Sequence, residues 1–393
     1  MEENLLIVHG GGPTAVINAS LYGAVREARR HAKVKHIYAA KNGTGGLLRE
    51  ELIDLGEIEE ERLRLLLQTP GSAIGTSRDE IEEEDYDRMV KILLRKKIRY
   101  VLFNGGNGTM DSCGKLYKAA SQKNADLFVM GIPKTMDNDI AITDHSPGFG
   151  SAALYIAQSV KELCMDVRSL PIHAVVLEAC GRNAGWITAA SALAEDGEGL
   201  GPDLIYLPET VFRQDDFLES VQRKIEEKKG IVIVVGEGLR DEEGNNIVKP
   251  IFETQRAKYF GDVSTHLALL IIKELGYKAR GEKPGLLGRA SVALQSCIDR
   301  DEAVLAGELA CRAVLEKESG KMLAFRRISS SPYHCETFFA DIDEVMLHEK
   351  KMPKEFINLQ KNGVSEEFKT WCRPLLGREL SRMLYLNEEI RRR

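Results

Sequence analysis

A cation, a hydroxyl and two carboxylates stand within six residues, at Lys134, Thr135, Asp137 and Asp139, in the run G-I-P-K-T-M-D-N-D from Gly131 to Asp139. Phosphoryl transfer needs such parts: a base or orienting group for the attacking hydroxyl, a cation for the moving phosphate, and oxygens for a metal ion. The same residues would also suit a plain loop with a helix-capping aspartate and a solvated lysine. Three glycine turns accompany the run: Gly10-Gly11-Gly12-Pro13-Thr14, Gly105-Gly106-Asn107-Gly108-Thr109 and Gly181-Arg182-Asn183-Ala184-Gly185. Glycine at such turns lets backbone N–H groups approach an anion, and a following helix N-terminus favours negative charge. Tight connections alone would also use glycine. None of the three spells a P-loop or a clean G-x-G-x-x-G, which weakens ordinary NTPase and dinucleotide readings.

Each turn follows an apolar, β-branched run. Strands are predicted at Leu5–Val8, His36–Ala40, Tyr100–Asn104, Leu127–Ile132, Ala174–Leu177, Leu204–Leu207 and Ile231–Val235. Several are apolar throughout, as strands buried on both faces are. Helical spacing follows Pro13, which is expected in the first turn of that helix, and recurs over 57–67 and 80–96. Alternating strands and helices give an α/β fold with largely parallel sheets. Glycine turns at the carboxyl ends of strands are where such sheets hold ligands. Two lobes are expected, with a break near 140–150. The stretch from about 330 is charged and helix-prone, with Trp371 as its main anchor and the terminal Arg391–Arg393 as solvated charge.

The 393 residues, 43% of them hydrophobic and 29% charged, suit two domains with sizeable cores. The net charge of −6 argues against a general nucleic-acid binder. No apolar run reaches the ~20 residues that span a bilayer, and the start Met-Glu-Glu-Asn lacks a secretory pattern. Seven scattered cysteines without a C-x-x-C pair suggest neither zinc nor disulfides. A cytoplasmic enzyme is expected.

The run from Pro133 to Asp139 resembles the P-[KG]-T-[IM]-D-N-D motif of the phosphofructokinases. Further matches follow in that family's order over about 4–320: the G-G-N-G-T turn, Ser77-Arg78, the run from Pro147 to Ala152, the run from Glu178 to Trp186, Val235-Gly-Glu-Gly238, and Arg280 nine residues before Arg289. The resemblance implies two Rossmann-like three-layer lobes, an active site in the cleft between them and a C-terminal helical extension. It divides the chain into a donor-phosphate lobe of 1–140 plus about 258–295, a fructose 6-phosphate lobe of 141–257 plus about 296–330, and an extension of 331–393. It implies Mg²⁺-dependent phosphoryl transfer to the 1-hydroxyl of fructose 6-phosphate. Asp137 would be the base, with Thr135 and Asp139 as substrate and metal-side partners and Lys134 on the donor phosphate. Arg182 would meet the sugar phosphate and developing charge, beside Gly181, and Glu237 would hold sugar hydroxyls. Arg280 and Arg289 would bind the 6-phosphate, one of them supplied by a neighbouring subunit, so a homodimer or homotetramer is implied. Gly11, Gly12, Arg78, Gly106, Asn107, Gly108 and Thr109 would form the donor site, with Asn107 and Asp137 on the metal.

The chain departs from the family pattern at four places. Cys180 replaces a methionine, His173 stands where a basic residue usually contacts phosphate, Leu286 replaces a His or Tyr, and Asn107 replaces a metal-side aspartate. The G-P-T-A-V-I-N-A-S opening and the P-K-T-M-D-N-D run resemble the pyrophosphate-using branch. Pyrophosphate users, however, place aspartate at position 108, where its charge and bulk exclude the α-phosphate of ATP. Gly108 leaves that space open, so ATP is the expected donor, with pyrophosphate as the alternative; Lys41, in place of an adenine-stacking aromatic, favours the latter. A non-catalytic sugar-phosphate-binding subunit and an NAD-dependent dehydrogenase are the competing classes.

Overall fold

A computed structural model describes residues 3–170, 172–195, 197, 199–253, 258–358, 360 and 362–386. The terminal Arg391–Arg393 and residues 254–257 of the expected sugar lobe lie outside these. In chain order the strands are β1 Glu3–Gly10, β2 Val34–Ala40, β3 Leu52–Asp54, β4 Ile98–Gly105, β5 Phe128–Pro133, β6 Ala174–Ala179, β7 Leu204–Tyr206, β8 Ile231–Gly236, β9 Pro250–Glu253, β10 Lys258–Phe260, β11 Ala279–Glu282, β12 Lys321–Ser330, β13 Tyr333–Asp341, and the short β14 Ile357–Asn358 and β15 Gly363–Val364. All seven predicted strands are present.

The chain forms two compact units, residues 1–152 with 289–350 and residues 153–288 with 351–393. The first is built on a seven-stranded sheet ordered β13-β12-β5-β4-β1-β2-β3. Pairing is parallel from β12 through β2, and antiparallel only at the two edges. Side chains alternate across a strand, and β1 shows what that achieves here. Leu6 and Val8 enter a core with Met89, Val90 and Leu93 of helix Glu83–Arg95 and Met110 and Leu116 of helix Asn107–Gln122. Leu5 and Ile7 enter a second core with Leu21 and Val25 of helix Ile17–Ala28 and Ala306, Ala310 and Val314 of helix Cys297–Leu315. Both faces are covered, which fixes the strand ends as the exposed, ligand-accessible part of the sheet.

The domain limits differ from the expected ones for identifiable reasons. Residues 296–330 join the first unit because helix Cys297–Leu315 packs backbone to backbone on helix Ile17–Ala28. A Cβ on Gly307 would lie 2.0 Å from Ser20 O, and one on Gly23 would lie 2.1 Å from Val304 O, so only glycine permits this approach. Strand β12 then pairs with β5, and β13, from the expected helical extension, forms the sheet edge. Residues 258–288, expected with the donor lobe, belong to the second unit instead. There β11 pairs with β6 in a four-stranded parallel sheet ordered β11-β6-β8-β7, and Leu267 and Ile271 of helix Val263–Leu275 fill its core with Phe217 and Ile233. From 351 onward the chain belongs to the second unit, where Trp371 packs 5.0 Å from Trp186 and 5.8 Å from Phe356. Among the described residues no helix is long and apolar enough to cross a membrane.

Candidate active site

Three of the expected segments meet at the carboxyl ends of β1, β4 and β5. The turn after β1 is held open by Ser77 and Thr76: Gly11 N–H donates to Ser77 O at 2.9 Å, and Thr76 Oγ1 to Gly11 O at 2.7 Å. Its helix starts only at Ile17, so Pro13 precedes the helix rather than opening it. Gly11 has φ of +75°. Ends β1 and β4 are locked together by Thr109, against whose Oγ1 a Cβ on Gly10 or Gly105 would come to 2.2 Å. Thr109 is buried and acts as that wedge. Gly106 caps helix Asn107–Gln122, and a Cβ on Gly108 would meet nothing within 4 Å among the described residues, so the space expected at Gly108 is open to them.

Lys134 follows β5 directly. Its N–H bonds to Gly105 O at 3.0 Å and its ammonium to Gly12 O at 2.6 Å. A Cβ on Gly12 would lie 2.8 Å from an Arg289 guanidinium nitrogen and 3.5 Å from one of Arg78. Lys134, Arg78 and Arg289 therefore converge on the Gly11-Gly12 turn, a cluster of three cations facing a glycine backbone. Burial lowers the Lys134 pKa to about 8, Asp137 and Asp139 oppose that shift, and the two arginines add to it. Beneath the cluster His9 is buried, and its pKa falls to about 3, by burial and then by Lys134. It is a neutral support that no sequence signal separated from β1.

Beyond Lys134 the loop is wired in place. Thr135 N–H donates to Pro147 O and Thr135 Oγ1 accepts from Asp137 N–H, each at 3.1 Å. Buried Asn138 adopts φ of +53° and accepts Ser146 N–H at 3.0 Å. Asp137 is half-buried. The Asp139 pKa is raised, first by burial and then by the Glu349 carboxylate, against hydrogen bonds from Thr135 and Asn107. Asn107 Nδ2 donates to Asp139 O at 3.2 Å, while its buried Oδ1 has no hydrogen-bond partner among the described residues. An uncommitted amide oxygen and a carboxylate are the donor types a hard divalent cation takes, so the chemistry of Asn107 and Asp137 suits Mg²⁺.

Sequence reasoning missed three supports of this loop. Buried Asp299 accepts from Gly148 N at 2.7 Å and Ser151 N at 2.9 Å, fixing the turn that pairs with Thr135. Lys350 N–H donates to Asp139 O at 2.7 Å; burial lowers its own pKa to about 7, against Asp144 and Asp139. His145, fully buried, lies between Asp144 at 2.8 Å and Glu302 at 2.6 Å. Its partners are scattered over 157 residues, so no local spacing signalled them. Burial alone would depress the His145 pKa, but the two carboxylates override it and raise it to about 9. A histidine raised in the fold contributes stability below its unfolded pKa of about 6.5 that is lost as pH rises through about 9. His145→Gln is accordingly expected to cost about 3 kcal/mol at pH 6 and to flatten the fall in stability between pH 6.5 and 9. Urea unfolding at both pH values measures this; an unchanged pH slope would contradict it.

The second unit brings Gly181, Arg182 and Glu237 together at the ends of β6 and β8. Gly181 N–H donates to Glu237 Oε1 at 3.1 Å, and Arg182 Nε lies 4.0 Å from the same oxygen. A Cβ on Gly238 would lie 1.7 Å from Arg182 O, which accounts for the Gly-Glu-Gly spelling. Arg182 is 61% exposed. His173 and Arg280 do not join this group. Arg280 pairs in register with Val175, and His173 Nδ1 accepts Lys278 N–H at 3.1 Å while its ring stands edge-on to Tyr277. Six residues of strand, about 20 Å, separate them from Gly181. Arg289 lies in the first unit with Gly12 and Arg78, and Arg280 in the second.

Comparison with known proteins agrees with this arrangement. Residues 4–314 match the phosphofructokinase family model. The chain is 37% identical over 386 residues, 96% of its length and 92% of the relative's, to the pyrophosphate--fructose 6-phosphate 1-phosphotransferase of Xanthomonas campestris pv. campestris. An ATP-dependent 6-phosphofructokinase of Amycolatopsis methanolica is 32% identical over 235 residues, 59% of this chain and 50% of that one. The solved pyrophosphate-dependent phosphofructokinase of Nitrosospira multiformis superposes with a TM-score of 0.89 at 32% identity, covering 98% of this chain and 94% of that one. With the cation cluster, the wired P-K-T-M-D-N-D loop and these similarities together, the chain belongs to the phosphofructokinase family and is a phosphotransferase.

Proposed function

We infer that the chain is a pyrophosphate--fructose 6-phosphate 1-phosphotransferase. The observation that carries the donor is the extent of similarity. Four relatives with that name match 95–96% of the chain at 32–37% identity and a fifth matches 81% at 29%, while ATP-dependent relatives match 59% and 61% of it. The cation cluster supports it: Lys134, Arg78 and Arg289 around Gly11-Gly12 suit a small, densely charged donor. ATP, expected from Gly108, remains the second reading because the space at that residue is open.

In the proposed reaction Lys134 and the two arginines bind the donor phosphates and oppose the charge that spreads over the transferred group. Asp137 takes the proton of the sugar 1-hydroxyl, held at its backbone by Thr135. Bound Mg²⁺, held by Asn107 and Asp137, would supply charge neutralisation to the phosphates. Arg182 and Glu237 serve the sugar phosphate, Glu237 being aimed by Gly181 N–H. Arg280 and His173, at the opposite strand ends, serve the site of a second copy, so the enzyme acts as a homodimer or homotetramer. Steady-state assays with fructose 6-phosphate and Mg²⁺ test the donor. The expected kcat/KM favours pyrophosphate over ATP by about 100-fold or more, some 2.7 kcal/mol; a preference for ATP would overturn this reading in favour of the second.

A further inference from the structure

After β13 the chain runs back along helix Asn107–Gln122. Met346 Sδ lies 2.6 Å from the place of a Cβ on Gly114, and Leu347 N–H donates to Asp111 Oδ1 at 2.8 Å. Glu349 then makes an antiparallel bridge with Ile140. This brings Lys350 against the loop that follows Asp137, and the residue grips that loop at two points. Its N–H donates to Asp139 O at 2.7 Å, and its ammonium donates to Thr143 O and Asp144 O, each at 2.9 Å.

The gripped stretch has no regular structure of its own to satisfy its carbonyls, and Ile142 within it adopts φ of +70°. Buried carbonyls need donors, and a cation is a strong one. Asp139 O also accepts from Asn107 Nδ2, so the Lys350 amide and a metal-side residue fix the same peptide group. We propose that Lys350 is a positioning residue for phosphoryl transfer, clamping residues 139–144 so that the Asp137–Asp139 carboxylates hold their place. It acts through the backbone and touches neither substrate. The role rests on the reaction inferred above.

The test compares wild type, Lys350→Met and Lys350→Arg in the steady-state assay with pyrophosphate and with ATP, alongside amide hydrogen exchange over residues 139–146. Lys350→Met removes the donor but keeps the apolar stem. It is expected to lower kcat about 30-fold, since misplacement near 1 Å can cost about 100-fold, with both KM values within about twofold. Exchange in the loop should speed up about tenfold, and Lys350→Arg, which retains donors, should recover most of kcat. If Lys350→Met fails to fold, Lys350→Gln, whose shorter neutral amide still donates, should give an intermediate kcat. An active wild type whose Met or Gln variant keeps its kcat overturns the inference alone, as does a change confined to KM or an arginine variant no better than methionine. A wild type inert with both donors overturns the reaction and with it the catalytic role, while unchanged exchange in the variant refutes the clamp whatever the donor.

Discussion

Asp137→Ser is expected to lower kcat about 1,000-fold while the KM for the sugar phosphate stays within about threefold. A positioned general base contributes about 10²–10⁴, and 1,000-fold corresponds to about 4 kcal/mol of transition-state stabilisation. The effect belongs in kcat because proton removal is felt only as the bond to phosphorus forms, not when the sugar binds. Serine keeps the residue 137 N–H that bonds Thr135 Oγ1 at 3.1 Å. The substitution also has a second signature. The Asp137 charge is the first of the groups that oppose the depression of the Lys134 pKa. Removing it should move that pKa below about 8, so the basic limb of the residual rate shifts to lower pH. Initial rates of both forms between pH 6 and 10 read the two effects together. A variant with wild-type kcat, or one whose loss is confined to KM, would remove Asp137 from the role of base.

How much of this was legible in the sequence follows from the range of the interactions. Strands buried on both faces are continuous apolar runs, and the glycine turns stand at their ends, so β1, β4, β5, β6 and β8 could be read directly. The P-K-T-M-D-N-D loop could be read because its chemistry is contiguous. The domain limits could not, because they depend on the backbone contact of Gly23 and Gly307 with a helix nearly 300 residues away, which spacing does not express. Arg280 and Arg289 are only nine residues apart and suggested one phosphate site. The chain changes unit between them, at Gly288, and places them in different groups. His173 precedes β6 and so sits at the wrong end of that strand for the Gly181 turn. Lys350 looked like any lysine of a charged C-terminal run, and only the return of the chain along helix Asn107–Gln122 gives it a partner.

Lys134→Met tests the donor side, and its expected result separates activity from stability. The lysine is fully buried with its pKa moved from 10.5 to about 8, and a shift of that size corresponds to roughly 3 kcal/mol that the fold spends to keep the ammonium charged at neutral pH. Because the folded pKa is the lower one, the unfolded chain binds the extra proton between about pH 8 and 10.5, and this cost fades as pH rises through that window. Methionine, similar in length and uncharged, should therefore fold at least as stably as lysine in the absence of donor near pH 7. Activity should move the other way. Loss of a buried cation from the Gly11-Gly12 turn is expected to lower kcat/KM for pyrophosphate about 1,000-fold, the scale of a single preorganised charge contact in a transition state. In the wild type, kcat/KM should fall as pH rises past about 8, where the free enzyme loses the lysine proton. The kcat limb should lie higher, since bound phosphate charge holds the proton on. In Lys134→Met the limb near pH 8 should vanish from a profile that is low throughout. Calorimetry and pH–rate profiles of the two proteins decide it: a variant that keeps the limb would assign that titration to another group, and one that keeps its kcat/KM would take Lys134 off the donor phosphate.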